Sequence, residues 1–152
     1  MPKSKRVFVD ADACPVKQEI VYACKPYEIE VYFIASHAHQ TNFGSGTWIY
    51  VDSLQDEVDF AIFQRAEAGD IVVTQDMGLA ALLVKKKVIV ISPRGILIQD
   101  EQIDYILHSR YVSAKLRRQG TFTKGPKAFI KEDRERFSNM LQKILSNHEG
   151  IH

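Results

Sequence analysis

The segment Arg6-Val7-Phe8-Val9-Asp10-Ala11-Asp12-Ala13-Cys14-Pro15 decides the architecture. Arg6–Val9 reads as a short strand with no polar alternation, the pattern of a strand covered on both sheet faces. The strand stops at Asp10. Asp12 or Cys14 can then cap a helix, with Pro15 tolerated in its first turn, running to about Lys25. A buried strand feeding a helix is the first half of a βαβ unit, the building block of a parallel sheet.

The rest of the chain continues that pattern. Ile29–Ala35 is β-branched and aromatic and reads as a strand. Ser36–Thr47 has no apolar period and reads as a loop, and Trp48–Val51 as a third strand. Ser53–Ala68 follows as a helix with Leu54, Val58, Ala61 and Ile62 on one stripe, stopped by Gly69. Ile71–Thr74 and Val88–Ser92 read as strands flanking a helix over Gly78–Lys86. Pro93-Arg94-Gly95 is a turn into an extended piece, Ile96–Ile98. Asp100–Gln119 and Lys131–Asn147 read as helices joined by Gly120–Pro126. The expectation is an α/β fold with a mainly parallel central sheet flanked by helices. We expect a single domain over 1–152, with an α/β core at 1–99 and a basic helical extension at 100–152 packed on it. Such an extension is too short to make more than a marginal core by itself.

Composition excludes several classes. The chain has 152 residues, 45% hydrophobic and 26% charged, ordinary values for a globular domain and unlike a disordered chain. Its two cysteines, Cys14 and Cys24, are too few for a disulfide framework. Read on one helix ten residues apart, they would be separated by about 15 Å, and reduced thiols fit the cytoplasm. The apolar run Val7–Val9 is shorter than the roughly 7–15 residues of a secretory signal. The longest uncharged stretch, Val31 to Val51, carries His, Gln, Asn, Gly and Ser and does not read as a membrane span. Net charge is +1. That total hides a polarity, because residues 1–104 hold 10 basic and 15 acidic side chains and residues 105–152 hold 10 basic and 4 acidic. Near-neutrality therefore excludes only tight, purely electrostatic binding of a polyanion by the whole protein.

The acids collect at strand ends. Asp10 and Asp12 follow the first strand, Asp76 the fourth, and Asp52, Asp56 and Asp59 the third. Ligands of open parallel sheets bind beyond the carboxyl ends of the strands. Clustered carboxylates need cations to stay ionised together, and hard oxygen donors select Mg²⁺ or Mn²⁺ over zinc. Such ions activate water and stabilise leaving oxygens in phosphodiester cleavage. Taken singly, Asp12, Asp52 and Asp56 equally suit helix capping or solvated surface.

Val9-Asp10-Ala11-Asp12-Ala13-Cys14-Pro15, Gly69-Asp70-Ile71-Val72-Val73-Thr74-Gln75-Asp76, Leu79-Ala80, Pro93-Arg94-Gly95, Gly125-Pro126 and Asp133-Arg134 together resemble the YaiI/YqxD family, in order, across about residues 6–145. The resemblance implies a PIN-like three-layer sandwich, and PIN domains are typically Mg²⁺/Mn²⁺-dependent ribonucleases with clustered acids. By motif, Asp10 matches the first-strand carboxylate, Asp59 the acidic position of the helix before Gly69-Asp70, and Thr74-Gln75-Asp76 the Thr/Ser-x-Asp step. Ser92 stands where many members have Asn, and Tyr111 where part of the family has Asp. A fourth carboxylate is left open between Asp56 and Asp12. The candidate catalytic residues are thus Asp10, Asp12, Asp59 and Asp76, and the candidate ligands for Mg²⁺ or Mn²⁺ are Asp10, Asp56, Asp59 and Asp76.

Arg110, Lys115, Arg117, Arg118, Lys124, Lys127 and Lys131, interleaved with Tyr111, Phe122 and Phe129, suit a phosphate backbone with stacked bases. They suit a solvated helix face as well. Candidate substrate contacts are Thr74, Arg94, Arg110, Lys124 and Lys127, with RNA the expected partner and a homodimer left open. His37 and His39 lack a third ligand and read as part of a flexible polar loop. Two alternatives to a nuclease remain. One is a non-catalytic RNA-binding or adaptor protein with a degenerate site. The other follows from Asp10-Ala11-Asp12, which also resembles the start of haloacid-dehalogenase-type phosphatases, where the first Asp is the nucleophile.

Overall fold

The computed structural model describes residues 5–41, 43–54, 56–120 and 128–149. Its strands are β1 (Arg6–Asp10), β2 (Glu30–Ser36), β3 (Thr47–Val51), β4 (Ile71–Val73), β5 (Ile89–Ile91) and β6 (Leu97–Ile98). Its α-helices are α1 (Lys17–Cys24), α2 (Glu57–Arg65), α3 (Met77–Lys85), α4 (Asp100–Arg118) and α5 (Lys131–Glu149). The strands form one sheet in the order β3-β2-β1-β4-β5-β6, parallel except for β6.

Both faces of this sheet are covered, which is why its strands show no polar alternation. On one face Val7, Val9, Phe33, Ile71 and Val73 pack with Ile20 and Cys24 of α1 and with Phe137, Leu141 and Leu145 of α5. On the other, Phe8, Ile34, Val72 and Val90 pack with Ile62 of α2, Leu79 and Leu83 of α3, and Ile103 of α4. The result is an α/β/α sandwich, consistent with the PIN-like arrangement the resemblance implied. The two C-terminal helices lie on opposite faces of the sheet.

Several local readings are corrected. The first helix does not begin at Asp12 or Cys14. Ala11–Ala13 forms a single 3₁₀ turn, and α1 starts only at Lys17, with Val16 at its N-cap. Cys14 therefore precedes the helix, and both cysteines are buried free thiols. The second helix is shorter than Ser53–Ala68: it spans Glu57–Arg65 and ends at Ala66 in extended geometry, ahead of Gly69. Leu54 lies outside it and is 70% exposed, so it is not part of the packed stripe. The loop Ser36–Thr47 contains a 3₁₀ turn at His37–His39.

Gly95, in the turn before β6, has φ +86°, and a Cβ there would lie 2.6 Å from the Arg136 carbonyl carbon and the Phe137 nitrogen. Only glycine lets this turn sit directly on the α5 backbone.

Candidate functional site

From β1 the chain steps outward through β2 to β3, then crosses back to β4 on the other side of β1. The winding direction reverses between β1 and β4, the topological switch point at which open α/β sheets bind ligands. Asp10 ends β1 on one side of this crevice, and Thr74 follows β4 on the other. The Thr74 hydroxyl donates to Asp10 Oδ2 at 3.0 Å and accepts from the Asp76 backbone N–H at 3.0 Å. Thr74 is 1% exposed, so its side chain bridges two acids inside the crevice instead of facing solvent.

Asp76 is the N-cap of α3, its Oδ1 accepting from the Leu79 N–H at 2.9 Å. It also faces Asp59 of α2 closely enough for the two carboxyls to share a hydrogen bond. Asp59 is pushed up to about 7 by burial, by that bond, and by the charges of Asp76, Asp10 and Asp56. Burial pushes Asp76 up as well, but the Leu79 amide, the bond from Asp59, the Gly78 amide and Arg110 together hold it below the usual carboxylate value. Of the two carboxyls, Asp59 is therefore the one that keeps its proton to higher pH. Asp10 is raised by burial, against the opposing Thr74 hydrogen bond, with Asp12 and Asp76 adding repulsion.

Asp12 is not a helix cap. Its Oδ1 accepts from the Ser36 N–H at 2.9 Å, tying the turn after β1 to the end of β2. His39 Nδ1 stands 3.5 Å from the same oxygen and bonds Ser36 Oγ at 2.8 Å. This histidine, read from sequence as loop, belongs to the site. The signal for it was present only as a polar residue a few positions beyond a strand end. Asp56, at the N-cap of α2, has φ +65° and makes no capping bond with its side chain. Asp is among the few non-glycine residues that tolerate this left-handed geometry. Asp10, Asp12, Ser36, His39, Asp56 and Asp59 line one cavity of about 260 Å³. Asp52 is exposed and does not line it.

The remaining candidates divide. Arg110 is exposed on α4, and its charge reaches Asp76, so the basic extension contributes to the acidic crevice. Arg94 is an ion-pair partner of Asp133 at 2.9 Å. Lys124 and Lys127 lie outside the described residues. Asp70, part of a motif quoted above, is structural: 2% exposed, it accepts from the Arg6 guanidinium at 2.8 Å and from the Glu67 N–H at 2.8 Å. A larger cavity, about 690 Å³, lies beside Val88, Ile89 and Val90 at the start of β5, and none of the candidate site residues lines it.

The sequence signature described as "Uncharacterized BCR, YaiI/YqxD family" matches residues 8–147. The chain belongs to the YaiI/YqxD family. A UPF0178 protein of Bacillus cytotoxicus is 61% identical over 151 residues, spanning 99% of both chains. One from Bacillus pumilus is 49% identical, spanning 97% of this chain and 90% of its own. A UPF0178 protein of Listeria monocytogenes is 43% identical, over 93% of this chain and 96% of its own. No solved structure matches the chain. For this YaiI/YqxD member the motif Asp10–Pro15 is thus the segment that enters the crevice, while the Asp133-Arg134 motif is the anchor of α5. Asp133 accepts from the Ile130 N–H, Arg94 and Arg136, and Arg134 donates to Glu19 and to the Pro15 carbonyl.

The donor set suits a hard divalent cation by its chemistry: carboxylate oxygens crowded enough that burial and mutual repulsion push Asp59 and Asp10 upward. Among the described residues no three His, Cys, Asp or Glu side chains already converge as ligands. Ligation would draw Asp10, Asp59 and Asp76 together, with Asp56 at the margin.

Proposed function

We propose that this protein is a metal-dependent nuclease acting on RNA, with Asp10, Asp59 and Asp76 holding Mg²⁺ or Mn²⁺. The observation that carries this reading is that Asp10, Asp76 and Asp59, from three separate segments, stand near enough at the switch point of the sheet to act on one another's charge. Capping accounts for only one of these three. When bound, the cation would activate water and stabilise charge on the leaving oxygen. The chain's own residues do the rest. Thr74 fixes the rotamer of Asp10, Asp76 is held by the first turn of α3, and Arg110 supplies positive charge beside the crevice for a phosphate oxygen. His39 is in reach of Asp12 and can move a proton at the rim.

Labelled single-stranded RNA incubated with Mn²⁺, Mg²⁺ or EDTA tests this. The expected outcome is metal-dependent cleavage abolished by Asp10→Asn and by Asp76→Asn. Equal rates in those variants and the parent contradict it. The adaptor reading finds support in the absence of a preassembled ligand triad among the described residues. Salt-sensitive RNA binding that is indifferent to EDTA and to Asp10→Asn, without cleavage, would favour it.

A further inference from the structure

A second cavity, about 400 Å³, adjoins the acidic one and shares Asp12 with it. Its chemistry is different. Lys17, Gln75, Arg94 and Phe129 line it beside the Asp12–Pro15 turn, so two cations, an amide and an aromatic ring face a single carboxylate. Its volume lies within the roughly 300–1,000 Å³ of small-molecule sites.

The lining is held in place by bonds within it and by residues behind it. Lys17 Nζ donates to the Cys14 carbonyl at 2.8 Å, and Arg94 donates to Asp133 at 2.9 Å and to the Ala128 carbonyl at 3.3 Å. The half-buried Phe129 ring has the guanidinium groups of Arg94 and Arg134 near it, at 5.9 and 5.2 Å from its centroid. Arg134 is itself fixed to Glu19 and the Pro15 carbonyl. These contacts draw on the turn after β1, the turn after β5 and the entry to α5, three segments far apart in sequence.

We propose that this cavity binds one nucleotide unit, its phosphate against Lys17 and Arg94 and its base against Phe129. Cations paired with a flat ring match the two halves of a nucleotide and match neither a bare anion nor an apolar ligand. The shared Asp12 wall places that unit next to the cavity lined by Asp10 and Asp59, on the side of Gln75, so it is the neighbour of the bond to be cleaved. The placement on a substrate strand rests on the nuclease reading above; nucleotide binding itself does not.

The test is calorimetry or NMR titration of the full chain in EDTA with 5′-AMP, ribose 5-phosphate and adenosine. The parent is expected to bind AMP more tightly than either fragment. Lys17→Gln should weaken AMP and ribose 5-phosphate by about tenfold, as for loss of a charge-assisted hydrogen bond, and leave adenosine unchanged. Gln75→Ala, at an exposed position, provides a second variant with no part in packing. Phe129→Leu should weaken AMP and adenosine and spare ribose 5-phosphate. Absence of AMP binding by the parent, or unchanged affinity in Lys17→Gln of native melting temperature, overturns the proposal. Penta-adenylate should displace AMP; failure to do so overturns the substrate-strand placement. Asp10→Asn separates the two readings, because it should lose metal-dependent cleavage while still binding AMP in EDTA.

Discussion

At the scale of single residues, the crevice is defined by a proton. Asp59, raised to about 7, binds a proton in the folded protein that an unfolded carboxyl has released above about pH 4. The folded state then holds more protons than the unfolded one, and stability falls as pH rises through that window. Melting temperature without metal should therefore be lower at pH 8 than at pH 5. Asp59→Asn should flatten this dependence and raise the melting temperature at pH 8; an unaltered pH slope would contradict the assignment. The lowered Asp76 acts in the opposite sense, but only below the ordinary carboxylate range. On the metal-site proposal Thr74 is the hydrogen-bond partner that orients Asp10, so Thr74→Val should weaken Mn²⁺ binding by about 10–100-fold, with Thr74→Ser restoring it. Equal Mn²⁺ isotherms for Thr74→Val and the parent would remove Thr74 from the account.

At the scale of elements, the strands could be read closely from sequence because β-branched runs bounded by Asp, Gly and Pro have few alternatives. Val7–Val9, Ile71–Val73 and Ile89–Ile91 fall where expected. Helix starts were less readable. The sequence Asp10–Pro15 offers good capping residues, but tertiary bonds claim them: Asp10 is taken by Thr74 and Asp12 by Ser36, so α1 begins later and without a side-chain cap. The acids at strand ends were visible as candidates, whereas His39 and Lys17 were not, since their place depends on which loop reaches which strand end. Gly95 illustrates the same limit: its requirement comes from α5, some forty residues away. Gly95→Ala should cost about 1–3 kcal/mol through overpacking and a strained φ, lowering the melting temperature by several degrees. An unchanged melt would show that α5 does not rest on this turn.

At the scale of the molecule, the opposite charges of the two parts of the chain become a spatial arrangement. The net of −5 over residues 1–104 includes the crevice acids, and the net of +6 over residues 105–152 includes Arg110, whose charge reaches Asp76. The extension does more than carry charge. Phe137, Leu141 and Leu145 are 0% exposed and share one cluster with Val7, Val9 and Phe33 of the sheet. We therefore expect α5 to unfold with the sheet in a single transition. Leu141→Ala, which opens a cavity there, should cost about 2–5 kcal/mol. Coincident shifts of far-ultraviolet circular dichroism and Trp48 fluorescence would check this, and separate transitions would contradict it. Among the described residues no helix is long and apolar enough to cross a membrane. The claim on which the rest depends is that the switch-point acids bind a divalent cation, and crystals soaked in MnCl₂ test it most directly. The expected result is an anomalous peak bound by Asp10, Asp59 and Asp76. A crevice without such a peak, in crystals that take up manganese elsewhere, would contradict it.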